Sequence, residues 1–149
     1  MSIEQQEGGP QTRFLQDILR QPSEMRRAIE FLTGPGKDAL CAARSLVESS
    51  RGVVLTGIGA SWHAVMSAST FFDLAAHPVV IQDAGELLYF TSIPWKVVVA
   101  ISRTGRSVEI VKLLAKAKAS GATIIGITNC EDSPLSKESD IPIVVPTTL

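Results

Sequence analysis

Apolar and polar positions along the 149-residue chain fall into two textures, which meet near Arg51. Before Arg51, "RFLQDILRQPSEMRRAIEFLTGPG" carries apolar side chains at helical spacing: Phe14, Leu15, Ile18 and Leu19, then Met25, Ile29 and Leu32. Pro22 suits a first helical turn and disrupts an interior, so the pattern predicts two helices divided there. The "GPG" at Gly34–Gly36 ends the pair, and "KDALCAARSLVESS" predicts a further helix. After Arg51, short apolar runs alternate with amphipathic stretches. The runs are "VVLTG" (Val53–Gly57), "PVVIQ" (Pro78–Gln82), "KVVVAIS" (Lys96–Ser102), "ATIIGITN" (Ala122–Asn129) and "IPIVVP" (Ile141–Pro146). Between them, "SWHAVMSASTFFDLAA" places Ala64, Val65, Ala68, Phe71, Phe72 and Ala75 on one helical face. "RSVEIVKLLAKAKASG" predicts a helix with Glu109, Lys112 and Lys116 on its solvated face and Gly121 as its C-cap. "SPLSKESD" predicts a short helix or turn.

The runs are continuous rather than alternating, as in parallel strands buried on both faces. Strands separated by helices give an α/β class. The expected architecture is a three-layer α/β/α sandwich around a five-stranded parallel sheet, in flavodoxin-like order 2-1-3-4-5, entered through N-terminal helices. Residues 1–12 read as a disordered polar leader, 13–50 as a helical segment and 51–149 as the α/β domain.

Bulk composition narrows the function. Fourteen Lys and Arg against fifteen Asp and Glu give a net charge of −1, so there is no general attraction to nucleic acid or anionic membranes. An anion site must be local. The two cysteines, Cys41 and Cys130, lie far apart in no metal-ligand spacing, which fits a reduced cytoplasmic protein. "MSIEQQEGGPQTR" has no apolar signal core, and no apolar run approaches the roughly 20 residues of a membrane span.

In open α/β sheets, ligands bind beyond the carboxyl ends of strands where strand order reverses. In order 2-1-3-4-5 the first and third strands flank that point. Both run into loops rich in glycine and hydroxyls, "TGIGASWHA" (Thr56–Ala64) and "SRTGRS" (Ser102–Ser107). The second suits a phosphate. A helix N-terminus offers unpaired N–H groups, Gly105 allows close backbone approach, and Ser102, Thr104 and Ser107 supply small donors. Ordinary helix capping is the alternative for the same hydroxyls. Arg106 stands near the first turn of a helix, where a cation is disfavoured by about 0.3–1 kcal/mol; a bound anion or an outward side chain removes that cost. Gly57 and Gly59 open a dinucleotide-like pattern with Asp83 downstream, but Trp62 fills the third glycine position. His63 is a packed or capping residue or an acid–base group. His77 reads as structural, and Trp62 and Trp95 as packing residues.

"GIGASWHA", "AISRTGRSVEIVKLLAKAKASGATIIGITN" and "SPLSKESDIPIVVP" together resemble the sugar isomerase (SIS) domain. They are most similar to the first SIS half of the isomerase region of the glutamine–fructose-6-phosphate aminotransferase family, with its ketohexose-6-phosphate deaminase/isomerase relatives. The segment around Gln21-Pro22 resembles the entry to that region. The resemblance implies a hexose 6-phosphate ligand, held by Gly59, Ala60 and Ser61 in the first loop and by Ser102, Arg103, Thr104, Gly105 and Ser107 in the second. It implies no cofactor and no metal. Ala60 stands where the family has a threonine, and Arg103 and Arg106 where the aminotransferase has Gln and Glu. That exchange moves local charge toward positive. The family's ring-opening and isomerising Glu, Lys and His come from a later SIS half, so no catalytic residue is assigned within these 149 residues. The implied parent opens the ring and transfers a proton between C1 and C2 of an amino- or keto-hexose 6-phosphate, with this chain pairing with a second SIS half or as a homodimer. A non-catalytic phosphosugar sensor is the alternative. Sugar-responsive transcription factors place a helix-turn-helix before their SIS domain, and the roughly 50 residues before the first strand lack a basic recognition helix.

Overall fold

In the computed structural model, described at residues 12–50, 52–94 and 97–147, five strands form one all-parallel sheet in the order β2-β1-β3-β4-β5. The strands are β1 (Val53–Gly57), β2 (Val80–Asp83), β3 (Val97–Ile101), β4 (Thr123–Thr128) and β5 (Ile141–Val144). The helices are α1 (Arg13–Thr33), α2 (Lys37–Ser49), α3 (Ala60–Leu74), α4 (Ala84–Tyr89), α5 (Val108–Ala119) and α6 (Pro134–Glu138). The expected class, strand order and three layers are present. The leader lies outside the described residues except Thr12, whose Oγ1 accepts from the Leu15 N–H and caps α1. Trp95 also lies outside them.

Alternate residues of each central strand feed two cores, which is why the runs are apolar throughout. Val54, Val98, Ala100 and Ile124 pack against Leu87 of α4, Ile110, Leu113 and Leu114 of α5 and Leu135 of α6. Val53, Leu55, Val97, Val99, Ile125 and Ile143 pack against Ala43 of α2 and Val65 of α3, with Trp62 and Phe72 at the margin.

Four helical expectations are corrected. Pro22 does not divide two helices, because α1 continues through it. Its missing N–H falls on a helix that buries no residue, so solvent can serve the Ile18 carbonyl. Ser23 also folds its hydroxyl back onto the Arg20 carbonyl at 2.7 Å. The inward face of α3 runs through Trp62, Val65, Ala68 and Phe72, whereas Phe71 is 71% exposed and Ala64 and Ala75 are also exposed. Helix α4 had no signal of its own in the apolar pattern. Asp83 starts it by accepting the Gly85 N–H on Oδ1 at 2.8 Å. Lys116 is not a solvated partner of Lys112. Its Nζ donates to the Leu87, Leu88 and Thr91 carbonyls at 2.9, 2.7 and 2.5 Å, closing the end of α4. The C-cap of α5 is Ser120, one residue earlier than expected. Gly121, at φ +74°, follows it, with the Gly121 N–H on the Lys118 carbonyl and the Ala122 N–H on the Ala117 carbonyl.

Among the described residues, no helix is long and apolar enough to cross a membrane. Substituting Lys116→Met keeps the aliphatic stem and removes the three-carbonyl clasp. It should lower stability by about 1.5–3 kcal/mol, the range for hydrogen bonds to a charged group, read as a shift in the urea midpoint at unchanged slope.

Candidate functional site

The two glycine- and hydroxyl-rich loops meet above the carboxyl ends of β1 and β3, which are adjacent in the sheet. A Cβ at Gly57 would sit 2.9 Å from the Ser61 backbone, so the glycine lets the first turn of α3 close onto the end of β1. Gly59, the N-cap of α3, has φ +58°, a conformation that favours glycine. The turn carries Ser61 to the crevice, where Ser61, Ile101, Ser102, Arg103, Ile127, Thr128 and Asn129 line a cavity of about 130 Å³. Three of the expected site residues therefore converge: Ser61, Ser102 and Arg103. Gly59 and Ala60 build the turn, and Thr104, Gly105 and Ser107 build the wall that follows, without lining that cavity.

The β3–α5 loop is wired before any ligand arrives. The buried Ser102 Oγ accepts from the Gly105 N–H at 3.2 Å, and Thr104 Oγ1 accepts from the Arg106 N–H at 3.4 Å. Both hydroxyls act as acceptors toward the loop, which leaves their protons to donate elsewhere. Ser107 is the N-cap of α5, yet its side chain makes no capping bond to the first N–H groups of that 12-residue helix. Capping therefore does not account for Ser107. Asn129 and Thr128 belong to the site and were not anticipated. The Asn129 N–H and Thr128 Oγ1 both donate to the Arg103 carbonyl, at 3.0 and 3.1 Å, and fix that residue's backbone. Their signal was their place at the end of β4, next to β3 in the expected order.

Gly105 joins the loop to the rest of the fold. It has φ +62°, and a Cβ there would collide with Ser133 Oγ and stand 2.6 Å from Ser133 Cβ and 3.0 Å from Leu135 Cβ. Its carbonyl accepts from the Leu135 N–H at 3.3 Å.

The two arginines separate. Arg106 reaches away from the small cavity: a terminal guanidinium nitrogen donates to the Asp132 carbonyl at 2.7 Å and lies 3.8 Å from Cys130 Sγ. This engagement answers the unfavourable placement of a cation near a helix start. Lys137, 2.6 Å from Asp132 Oδ1, holds the Asp132 carboxyl below its ordinary value, with a smaller contribution from Arg106. Arg103 remains at the cavity.

A match to the family model for the SIS domain spans residues 46–148. The chain belongs to the SIS domain family. Its sequence is 28% identical over 139 residues to a glutamine–fructose-6-phosphate aminotransferase of Pyrococcus horikoshii, covering 91% of this chain and 23% of that protein. It is 33% identical over 106 residues to an uncharacterised HTH-type transcriptional regulator of Clostridium perfringens, covering 69% of this chain and 38% of the other. The chain thus spans well under half the length of either relative. Among solved structures, the C-terminal domain of glucosamine-fructose-6-phosphate aminotransferase from Francisella tularensis superposes with a TM-score of 0.79 at 24% identity, over 97% of this chain and 42% of that one. The Vibrio vulnificus NanR protein complexed with ManNAc-6P superposes with a TM-score of 0.67 at 18% identity, over 90% and 55% of the two chains.

The dinucleotide alternative loses its parts in this SIS domain. Asp83 is spent as the cap of α4, and Trp62 packs against the core where close approach would need glycine. His63 is exposed on the first turn of α3 rather than packed. His77 is half-buried beside Phe72, with ring centroids 6.5 Å apart, as a structural residue would be.

Replacing Gly105→Ala combines a left-handed backbone, disfavoured by about 1–2 kcal/mol for an L side chain, with the clash against Ser133. Thermal unfolding should show a clear drop in midpoint. The companion Gly59→Ala, where an added Cβ meets nothing within 4 Å, should show the backbone penalty alone.

Proposed function

We propose that this SIS domain binds a hexose 6-phosphate, with the phosphate seated in the β3–α5 loop, as part of a protein that isomerises, deaminates or aminates the sugar. The observation that carries the reading is the convergence of Ser61 with Ser102 and Arg103 on one small crevice beyond the carboxyl ends of β3 and β4. A phosphate there would meet hydroxyl donors, the unpaired N–H groups of the helix and a guanidinium, all of one polarity. The Vibrio vulnificus complex with ManNAc-6P and the aminotransferase relatives supply the sugar-phosphate class.

The same lining limits what this crevice does in the reaction. It holds hydroxyls, an amide and a guanidinium, with no carboxylate, imidazole or amine to carry a proton between C1 and C2. Its role is to anchor and orient the phosphate, so that a group from elsewhere in the assembly works on the distal end. A second reading, a non-catalytic phosphosugar sensor, is favoured by the likeness to the Clostridium perfringens regulator.

Calorimetric titration with glucose, fructose and glucosamine 6-phosphates should give saturable binding. A Ser61→Ala/Ser102→Ala double variant, which removes two hydroxyls that line the crevice, should weaken it about 100-fold, from two charge-assisted hydrogen bonds at roughly 1.5 kcal/mol each. Unchanged affinity would remove the site. Deuterium incorporation at C1 or C2, followed by NMR with the complete gene product in heavy water, separates the two readings. Exchange marks the enzyme, and binding without exchange marks the sensor.

A further inference from the structure

A second cavity, of about 430 Å³, opens beside the small one and shares two of its walls, Arg103 and Asn129. Its far wall is helix α1. Phe14, Asp17, Ile18 and Gln21 all line it, and their spacing of three, four and seven residues is a single helical stripe. The N-terminal half of α1 therefore faces the carboxyl ends of β3 and β4, with Thr147 completing the ring.

We infer that this stripe of α1 reads the sugar portion of the ligand whose phosphate sits in the β3–α5 loop. The inference rests on the phosphate site proposed above. The volume lies within the roughly 300–1,000 Å³ of small-molecule sites, and the crevice holding Ser61 and Ser102 is too small for more than the phosphate. The lining is chemically mixed in the way a polyol requires. Asp17 offers a carboxylate acceptor to sugar hydroxyls, and Arg103 is shared with the phosphate crevice. Gln21 and Asn129 contribute amides, and the Asn129 Nδ2 donates to the Val145 carbonyl at 2.8 Å, which leaves its Oδ1 toward incoming hydroxyl donors. Phe14 is 75% exposed and Ile18 42% exposed, apolar surfaces against which the C–H face of a sugar would pack. Asp17 lies 3.8 Å from Arg20, both about half exposed, a loose pair that leaves the carboxylate accessible.

The test compares two probes on the full chain, inorganic phosphate and the tightest-binding of glucose, fructose and glucosamine 6-phosphates. The wild type should prefer the sugar phosphate. An Asp17→Ala/Gln21→Ala variant should bind that sugar phosphate about tenfold more weakly and inorganic phosphate equally well, with an unchanged circular dichroism spectrum and melting midpoint. Phe14→Ala, at an exposed position, should repeat the pattern to a smaller degree. Equal loss for both probes, or no loss for the sugar phosphate, would overturn the role of α1 while leaving the phosphate site standing. A wild type that prefers inorganic phosphate would do the same. A wild type that binds neither probe would overturn both.

Discussion

Gly105 stands where the β3–α5 loop, the buried Ser133 and the start of α6 come together, and the packing leaves no volume for a side chain. Its N–H is held by Ser102, its carbonyl by Leu135, and its positive φ turns the chain from strand into helix. Through those contacts the loop is braced on α6 as well as on its own strand, and the Thr128 and Asn129 bonds to the Arg103 carbonyl tie it to the end of β4. Arg106 adds a second tie, crossing to the Asp132 carbonyl. The consequence is preorganisation. For the phosphate proposed above, such a backbone would need no rearrangement to present its hydroxyls and helix N–H groups, so little affinity would be lost to ordering it.

The parallel sheet supplies the remaining constraint. With β1 beside β3 and β3 beside β4, three strand ends open on one crevice, and each contributes one polar stretch: Ser61 follows β1, Ser102 and Arg103 follow β3, and Thr128 and Asn129 end β4. These three stretches are far apart in sequence. Their meeting is a property of strand order, itself dictated by which apolar runs must be covered on both faces.

Much of this was legible in the chain. The uninterrupted β-branched runs identified central parallel strands, and the two odd loops identified the crevice, because both signals are local. What was missed depends on tertiary partners. Lys116 reads as solvent-facing from its own helix, and only α4, itself a single short stretch begun by Asp83, gives it carbonyls to clasp. The face of α3 was rotated toward Phe71 because large apolar side chains were assumed to be inward. Pro22 was given its usual interior penalty, which weakens where water reaches the backbone. Arg103 and Arg106 looked equivalent until one was seen bound to the neighbouring loop.

Helix α1 combines two features whose joint effect is thermodynamic. It buries no residue of its own, and at Pro22 it lacks one of the hydrogen bonds that make a helix cooperative. Its hold on the sheet is therefore weak, yet it forms one wall of the larger cavity. Whatever occupies that cavity adds contacts to α1 and so raises the free energy of opening it. By the same linkage, anything that firms up α1, even at a position remote from the cavity, raises affinity for the occupant by as much as it raises the fraction of molecules with α1 in place. The wall and its guest share one free energy, and the proline sets how much of it is left to be supplied on binding.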